Sequence, residues 1–207
     1  MSEQWPEGTI CSRHATEYLE QGGSYRPRSE WGDGPWQSEP DLVRWPTRAG
    51  LPGLIWRSPV TGSLCGYAAA PLGHPYFGKT WHQLEMPLDV HGGLTFAGSF
   101  DAGLIELGAE ELGNWWLGFD CAHAWDAQPA MDALLKDLRH PRHWPRLAAL
   151  GHPVPPPYVS LFGGNRYWTL DAVREECESL AAQLVMAGNP EVQAILDGVR
   201  ADETEDN

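Results

Sequence analysis

Hydrophobic and polar positions change their pattern twice along the chain. Residues 1–50 hold isolated aromatics between breakers, with Gly22-Gly23, Pro27, Gly32, Gly34, Pro35, Pro40, Pro46 and Gly50 interrupting any long element. This predicts an irregular arm with one short helix over 9–20, pinned to the body by Trp5, Trp31, Trp36 and Trp45. From Leu54 the apolar positions gather into short runs. Residues 54–57 and 64–70 flank a Pro-Val-Thr-Gly turn, and further strand candidates lie at 88–91, 94–97, 104–107 and 115–120. Short runs without helical segments between them predict a mostly antiparallel sheet. After Thr169, a candidate N-cap, the period becomes helical: Val173, Cys177, Leu180, Ala181, Leu184 and Val185 form one stripe. Gly188 stops that helix, and Asn189-Pro190 starts another with Val192, Ile195, Leu196 and Val199. The expected fold is α+β: a mostly antiparallel sheet covered by C-terminal helices, with an irregular N-terminal arm. The expected division is an arm at 1–50, a single domain at 51–200 and a disordered acidic tail at 201–207.

Composition narrows the function. The 207 residues are 42% hydrophobic, enough for one core. The 11 tryptophans serve core packing or stacking in a ligand pocket. A net charge of −14 argues against general nucleic-acid binding and against anionic membranes, both of which need Lys and Arg. Cys11, Cys65, Cys121 and Cys177 are far apart, so neither a zinc ribbon nor a redox pair is expected. No secretory leader or membrane-spanning run is visible, and a cytoplasmic location follows as the expectation.

The chemistry concentrates in 86–126. Between Thr80 and Lys136 there is no Lys or Arg, and nine carboxylates lie there. In a strand over 88–91, Asp89 and His91 would share a face, with Gly92 and Gly93 allowing a tight turn or a ligand's approach. In a strand over 115–120, Trp115, Leu117 and Phe119 share one face and Trp116, Gly118 and Asp120 the other. If a helical turn follows, Asp120, His123 and Asp126 recur along one side. Asp89, His91, Asp120, His123 and Asp126 are therefore candidate ligands for Zn, Mn or Mg. His91, Asp120 and His123 are candidate catalytic groups, a histidine base oriented by a carboxylate. Capping and core hydrogen bonding explain each residue equally well taken singly. Cys121 and His123 are too close in sequence to suit a nucleophile pair, and no Gly-x-Ser-x-Gly elbow occurs.

Residues 73–80, Gly-His-Pro-Tyr-Phe-Gly-Lys-Thr, match GxxxxGK[ST] by letter. Pro75 lacks the N–H that a phosphate cradle needs, Tyr76 and Phe77 are bulky, and Pro87 cuts off the following helix. A loop offering His74, Gly78 and Lys79 to a ligand, with Trp116 stacking, is the preferred reading. The basic stretch 136–146 is either a solvated loop or a lid over an anionic ligand.

These motifs carry a resemblance. Trp56-Arg57-Ser58-Pro59, Cys65-Gly66-Tyr67, Gly73-His74-Pro75 with Gly78-Lys79, Asp89-Val90-His91-Gly92-Gly93-Leu94-Thr95, Trp116 to His123 and Glu176 to Leu180 together resemble an uncharacterised family of phage and prophage proteins. The resemblance spans about residues 54–184 and implies a phage or mobile-element origin rather than a reaction. In that family the position after Gly-Lys is often acidic, whereas this chain has Thr80. The leading expectation is a metal-assisted hydrolase of a small phosphorylated or nucleotide-like molecule, with Lys79 and His74 holding its anionic part. The alternatives are a non-catalytic nucleotide-sequestering protein, or an acidic inhibitor of a basic host enzyme.

Overall fold

The computed structural model describes residues 5–12, 27–100, 113–138, 140, 142, 144–151 and 166–205. Six strands form one antiparallel sheet: β1 (Ile10–Ser12), β2 (Leu42–Pro46), β3 (Pro52–Arg57), β4 (Leu64–Ala70), β5 (Phe96–Gly98) and β6 (Trp115–Asp120). Their spatial order is β1-β2-β3-β4-β6-β5. Among the described residues there are four α-helices: α1 (Pro129–Leu138), α2 (Trp144–Ala149), α3 (Leu170–Ala187) and α4 (Pro190–Glu205). The α+β expectation holds. No helix among the described residues is long and apolar enough to cross a membrane.

Strand parity sorts the core into two clusters. Val43, Ile55, Leu64, Ala68, Leu117 and Phe119 meet Val173, Cys177, Leu180, Ala181 and Leu184 of α3. Leu42, Leu54, Cys65, Tyr67, Ala69, Phe100 and Trp116 pack on the opposite face. Every residue of β4 is buried, as a central strand with both faces covered requires. Helix α3 can approach β4 closely because Gly66 has no side chain. A Cβ there would lie 2.6 Å from Cys177 Sγ and 2.5 Å from the Phe119 ring. Thr169 caps α3 by accepting the Ala172 N–H, and Gly188 closes it by donating to the Leu184 carbonyl. Asn189 caps α4 through the Glu191 N–H, but its stripe is only partly covered and Ile195 is exposed.

Several expectations need correction. Residues 1–50 are not simply an irregular arm, since they supply β1 and β2. Pro46, the last residue of β2, marks where a strand ends rather than where none exists. The expected helix over 9–20 is replaced at 10–12 by β1, whose partners on β2 run from Leu42 to Arg44; residues 13–20 lie outside the described residues. No strand forms at 88–91. Leu88 and Val90 are buried while Asp89 faces solvent, so the alternation is that of an extended chain. Its backbone bonds to helix side chains instead: Gln183 bridges the Asp89 N–H and C=O, and Glu176 accepts from the His91 N–H. The candidate at 94–97 reduces to β5, and 104–107 lies outside the described residues.

A buried ionic network ties this frame to the start of α3. Arg57 donates to Asp41 (3.0 Å), Glu39 (2.8 Å), the Gly62 carbonyl (3.0 Å) and the Tyr167 hydroxyl (2.9 Å). Burial pushes the Tyr167 phenol up, so it stays protonated and donates to Glu39. Glu39 also accepts the Leu170 N–H. The charge of Arg57 is thus matched and fully hydrogen-bonded, the condition under which a buried cation is tolerated. The network holds residues 166–168 against the sheet.

Candidate metal centre

Beyond β6 the chain turns sharply. Asp120 Oδ1 accepts the Ala122 N–H at 3.0 Å, and the Asp126 N–H donates to the His123 carbonyl at 2.9 Å. This turn carries Asp126 inward, where it is 3% exposed. Among the described residues, four donors converge on its carboxylate. Oδ2 receives His91 Nε2 at 2.8 Å, the His123 N–H at 2.9 Å and His123 Nδ1 at 3.3 Å. Oδ1 receives the Trp168 indole N–H at 3.1 Å. A carboxylate offers about four lone-pair positions, so Asp126 is nearly saturated. That saturation is what allows its charge to be buried.

The histidines reach this point from separate segments. The turn after Val90 closes with a 2.9 Å bond from the Gly93 N–H to the Val90 carbonyl. Gly92 and Gly93 have φ of +66° and +85°, a region where other residues are strained. Gly92 is required for a second reason, since an added Cβ would lie 2.0 Å from the His123 ring. The His91 and His123 rings meet edge to face at 5.0 Å. His91 also lies 4.2 Å from the Trp168 ring. For both rings to donate to Asp126, His91 carries its proton on Nε2 and His123 on Nδ1. His91 Nδ1 and His123 Nε2 then hold lone pairs, on side chains that are 21% and 34% exposed.

In the opposite tautomers, His91 Nε2, His123 Nδ1 and an Asp126 oxygen become three ligand atoms. One ligand atom from each of the three residues lies within 4.8 Å of the others, and together they could hold a metal ion. Ligands at about 2.0–2.2 Å from a tetrahedral ion sit roughly 3.3–3.5 Å apart. The 2.8 Å and 3.3 Å contacts to Asp126 are near that spacing, so small shifts would admit an ion. The Trp168 indole and the His123 N–H orient the carboxylate from outside the ligand set, a usual arrangement around metal ligands.

The structure brings together only part of the expected site. His91, His123 and Asp126 converge. Asp89 does not, because it faces solvent along the extended segment. Asp120 is absent from the cluster as well. It pairs with Cys65 across the sheet and caps its own turn, and strand parity groups it with Trp116 rather than Phe119. Trp116 is fully buried on the far face and offers no stacking surface.

In the Gly-Lys loop the candidate side chains lie apart from this cluster and are bonded within the chain. His74 Nε2 bonds the Leu184 carbonyl at 2.9 Å, and Nδ1 accepts the Tyr76 N–H at 3.0 Å. Lys79 pairs with Glu85, and Gly78 (φ +79°) only permits the turn. This loop contacts the C-terminal end of α3, whereas the histidine cluster touches Trp168 and Glu176 near the other end. Glu176 and Leu184 alone are separated by about 12 Å along the helix axis.

Sequence reasoning missed Trp168 and Glu176. Trp168 was one of many tryptophans, and only its place just before the Thr169 cap set it apart. Three of the four cysteines, Cys65, Cys121 and Cys177, are buried thiols, and only Cys11 is exposed. Burial pushes the Cys65 thiol up to about 12 and the Cys121 thiol higher. Compared with known proteins, the chain matches no family model, no curated protein and no solved structure.

Proposed function

We propose that His91, His123 and Asp126 form a divalent-cation site that serves hydrolysis of a small molecule. The observation that carries this reading is the convergence of three ligand atoms within 4.8 Å on a buried, externally oriented carboxylate. Two histidines and one carboxylate are a donor set used by Zn and by Fe(II) sites that keep open positions. A bound cation would supply a Lewis acid and acidify a coordinated water. The chain's own contribution is positional. Asp126 is locked by the Trp168 indole, and the His91 main chain is held by Glu176. With the ligating nitrogens turned inward, His91 Nδ1 and His123 Nε2 carry N–H groups that can donate to an oxyanion. We also read the chain as of phage or mobile-element origin, on the strength of its motifs alone.

The test is elemental analysis of the purified chain, then titration with Zn, Mn and Mg. About one ion per chain is expected, with loss of binding in His91→Ala and His123→Ala and hydrolysis that stops on chelation. Absence of binding would sink the metal reading.

A second reading follows from the direct 2.8 Å bond between His91 Nε2 and Asp126 Oδ2. Asp126 then orients His91 as a metal-free general base, with Nδ1 as the basic atom. Hydrolysis that survives complete chelation would favour it.

A further inference from the structure

We propose that the substrate carries a phosphate-like oxyanion and that Arg166 receives it. This proposal rests on the reading of His91, His123 and Asp126 as the reaction site. Residue 166 is built into that site's wall. Arg166 and Asp126 form a parallel bridge, with the Ala127 N–H donating to the Arg166 carbonyl at 3.0 Å and the Arg166 N–H to the Trp125 carbonyl at 3.1 Å. The Arg166 guanidinium lies 4.7 Å from the Trp168 ring centre. Trp168 is the same residue that meets His91 at 4.2 Å and donates to Asp126. One indole therefore connects an exposed cation to the histidine pair.

Arg166 also differs from four arginines whose guanidinium groups face carboxylates. Arg57, Arg28, Arg48 and Arg142 are paired with Asp41 or Glu39, Asp41, Glu175 and Asp137. No described carboxylate pairs with Arg166, although the chain carries a net charge of −14. A guanidinium stacked on an aromatic ring keeps its N–H fork free for two oxygens of one anion. Lys79 and His74 are engaged elsewhere: Lys79 pairs with Glu85, and His74 bonds the Leu184 carbonyl near the other end of α3. The oxyanion would bridge from Arg166 toward the outward N–H groups of His91 and His123, which sets its reactive centre over the cluster.

The experiment is titration of the full chain with inorganic phosphate, read by tryptophan fluorescence, with and without added Zn. The variants are Arg166→Gln and Arg166→Lys, and Zn affinity is measured in each. The wild-type chain should bind phosphate at millimolar concentration or below, more weakly as salt rises. Arg166→Gln should weaken phosphate binding at least tenfold with Zn affinity unchanged, and Arg166→Lys should lie between. Equal phosphate binding by Arg166→Gln and wild type, or none by wild type, would overturn the proposal. If no Zn binds but phosphate binding still depends on Arg166, the metal reading fails while the anion site stands.

Discussion

Each end of α3 carries a glycine-bearing loop with histidine, yet the histidines do different work. At the C-terminal end His74 uses both ring nitrogens, one on the Leu184 carbonyl and one on the Tyr76 N–H. Lys79 in the same loop is taken by Glu85. At the N-terminal end His91 and His123 each spend one ring nitrogen on a shared carboxylate. Their other nitrogens have no hydrogen-bond partner among the described residues. The first loop closes on itself and on the helix; the second leaves donors and acceptors facing outward. Residue type does not separate the two. Counting which polar atoms are already satisfied does, because a satisfied ring nitrogen has no capacity left for a ligand.

The largest expected effect comes from Asp126. In Asp126→Asn the amide presents donors to donors, and the buried groups it served lose their acceptor. We expect a loss of about 2–3 kcal/mol of stability and cation binding too weak to measure. His74→Ala should cost about 1 kcal/mol and leave cation binding unchanged. Urea unfolding and calorimetric titration read both, and loss of cation binding in His74→Ala would break the contrast between the loops.

Next come the two glycines. Gly92 and Gly78 both have positive φ, +66° and +79°, so alanine is strained at either. They differ in what a Cβ would meet: the His123 ring at 2.0 Å for Gly92, and nothing within 4 Å for Gly78. Gly92→Ala should lower cation affinity about 10- to 100-fold, the range for disturbed support around metal ligands. Gly78→Ala should lower stability by about 1 kcal/mol with cation affinity unchanged. Similar affinities in the two variants would show that His123 does not need its present position.

The smallest effect is expected for Lys79→Ala. The Lys79 side chain is 33% exposed and that of Glu85 15%, so the pair is partly screened by solvent and its loss should cost about 1 kcal/mol. Phosphate titration should be unchanged. A drop in phosphate affinity would return the Gly-Lys loop to the site and remove the contrast with Arg166.

Much of the frame was legible along the chain. The runs at 54–57, 64–70 and 115–120 became strands, and parity separated Leu117 and Phe119 from Trp116. Thr169, Gly188 and Asn189 marked the helix ends because capping is local chemistry. The strands β1 and β2 were hidden, since they are short and lie among breakers; pairing with β3, not intrinsic pattern, makes them strands. The same limit applied to the site. His91, His123 and Asp126 stood out in a basic-free interval, but Asp89 and Asp120 stood out as much. Trp168 and Arg166 are about 40 residues further along than Asp126, and no local rule connects them to it.

The sequence alone determined what is periodic or local: strand faces, helix caps, the acidic balance and the types of residue able to do chemistry. Tertiary structure decided which of those residues meet. Convergence on Asp126 depends on a turn after β6, a glycine turn after Val90 and an ionic anchor at Tyr167, three segments far apart in the chain. Only packing α3 against the sheet brings them within bonding distance. The same packing turns Asp89 to solvent and spends His74 and Lys79 on structure.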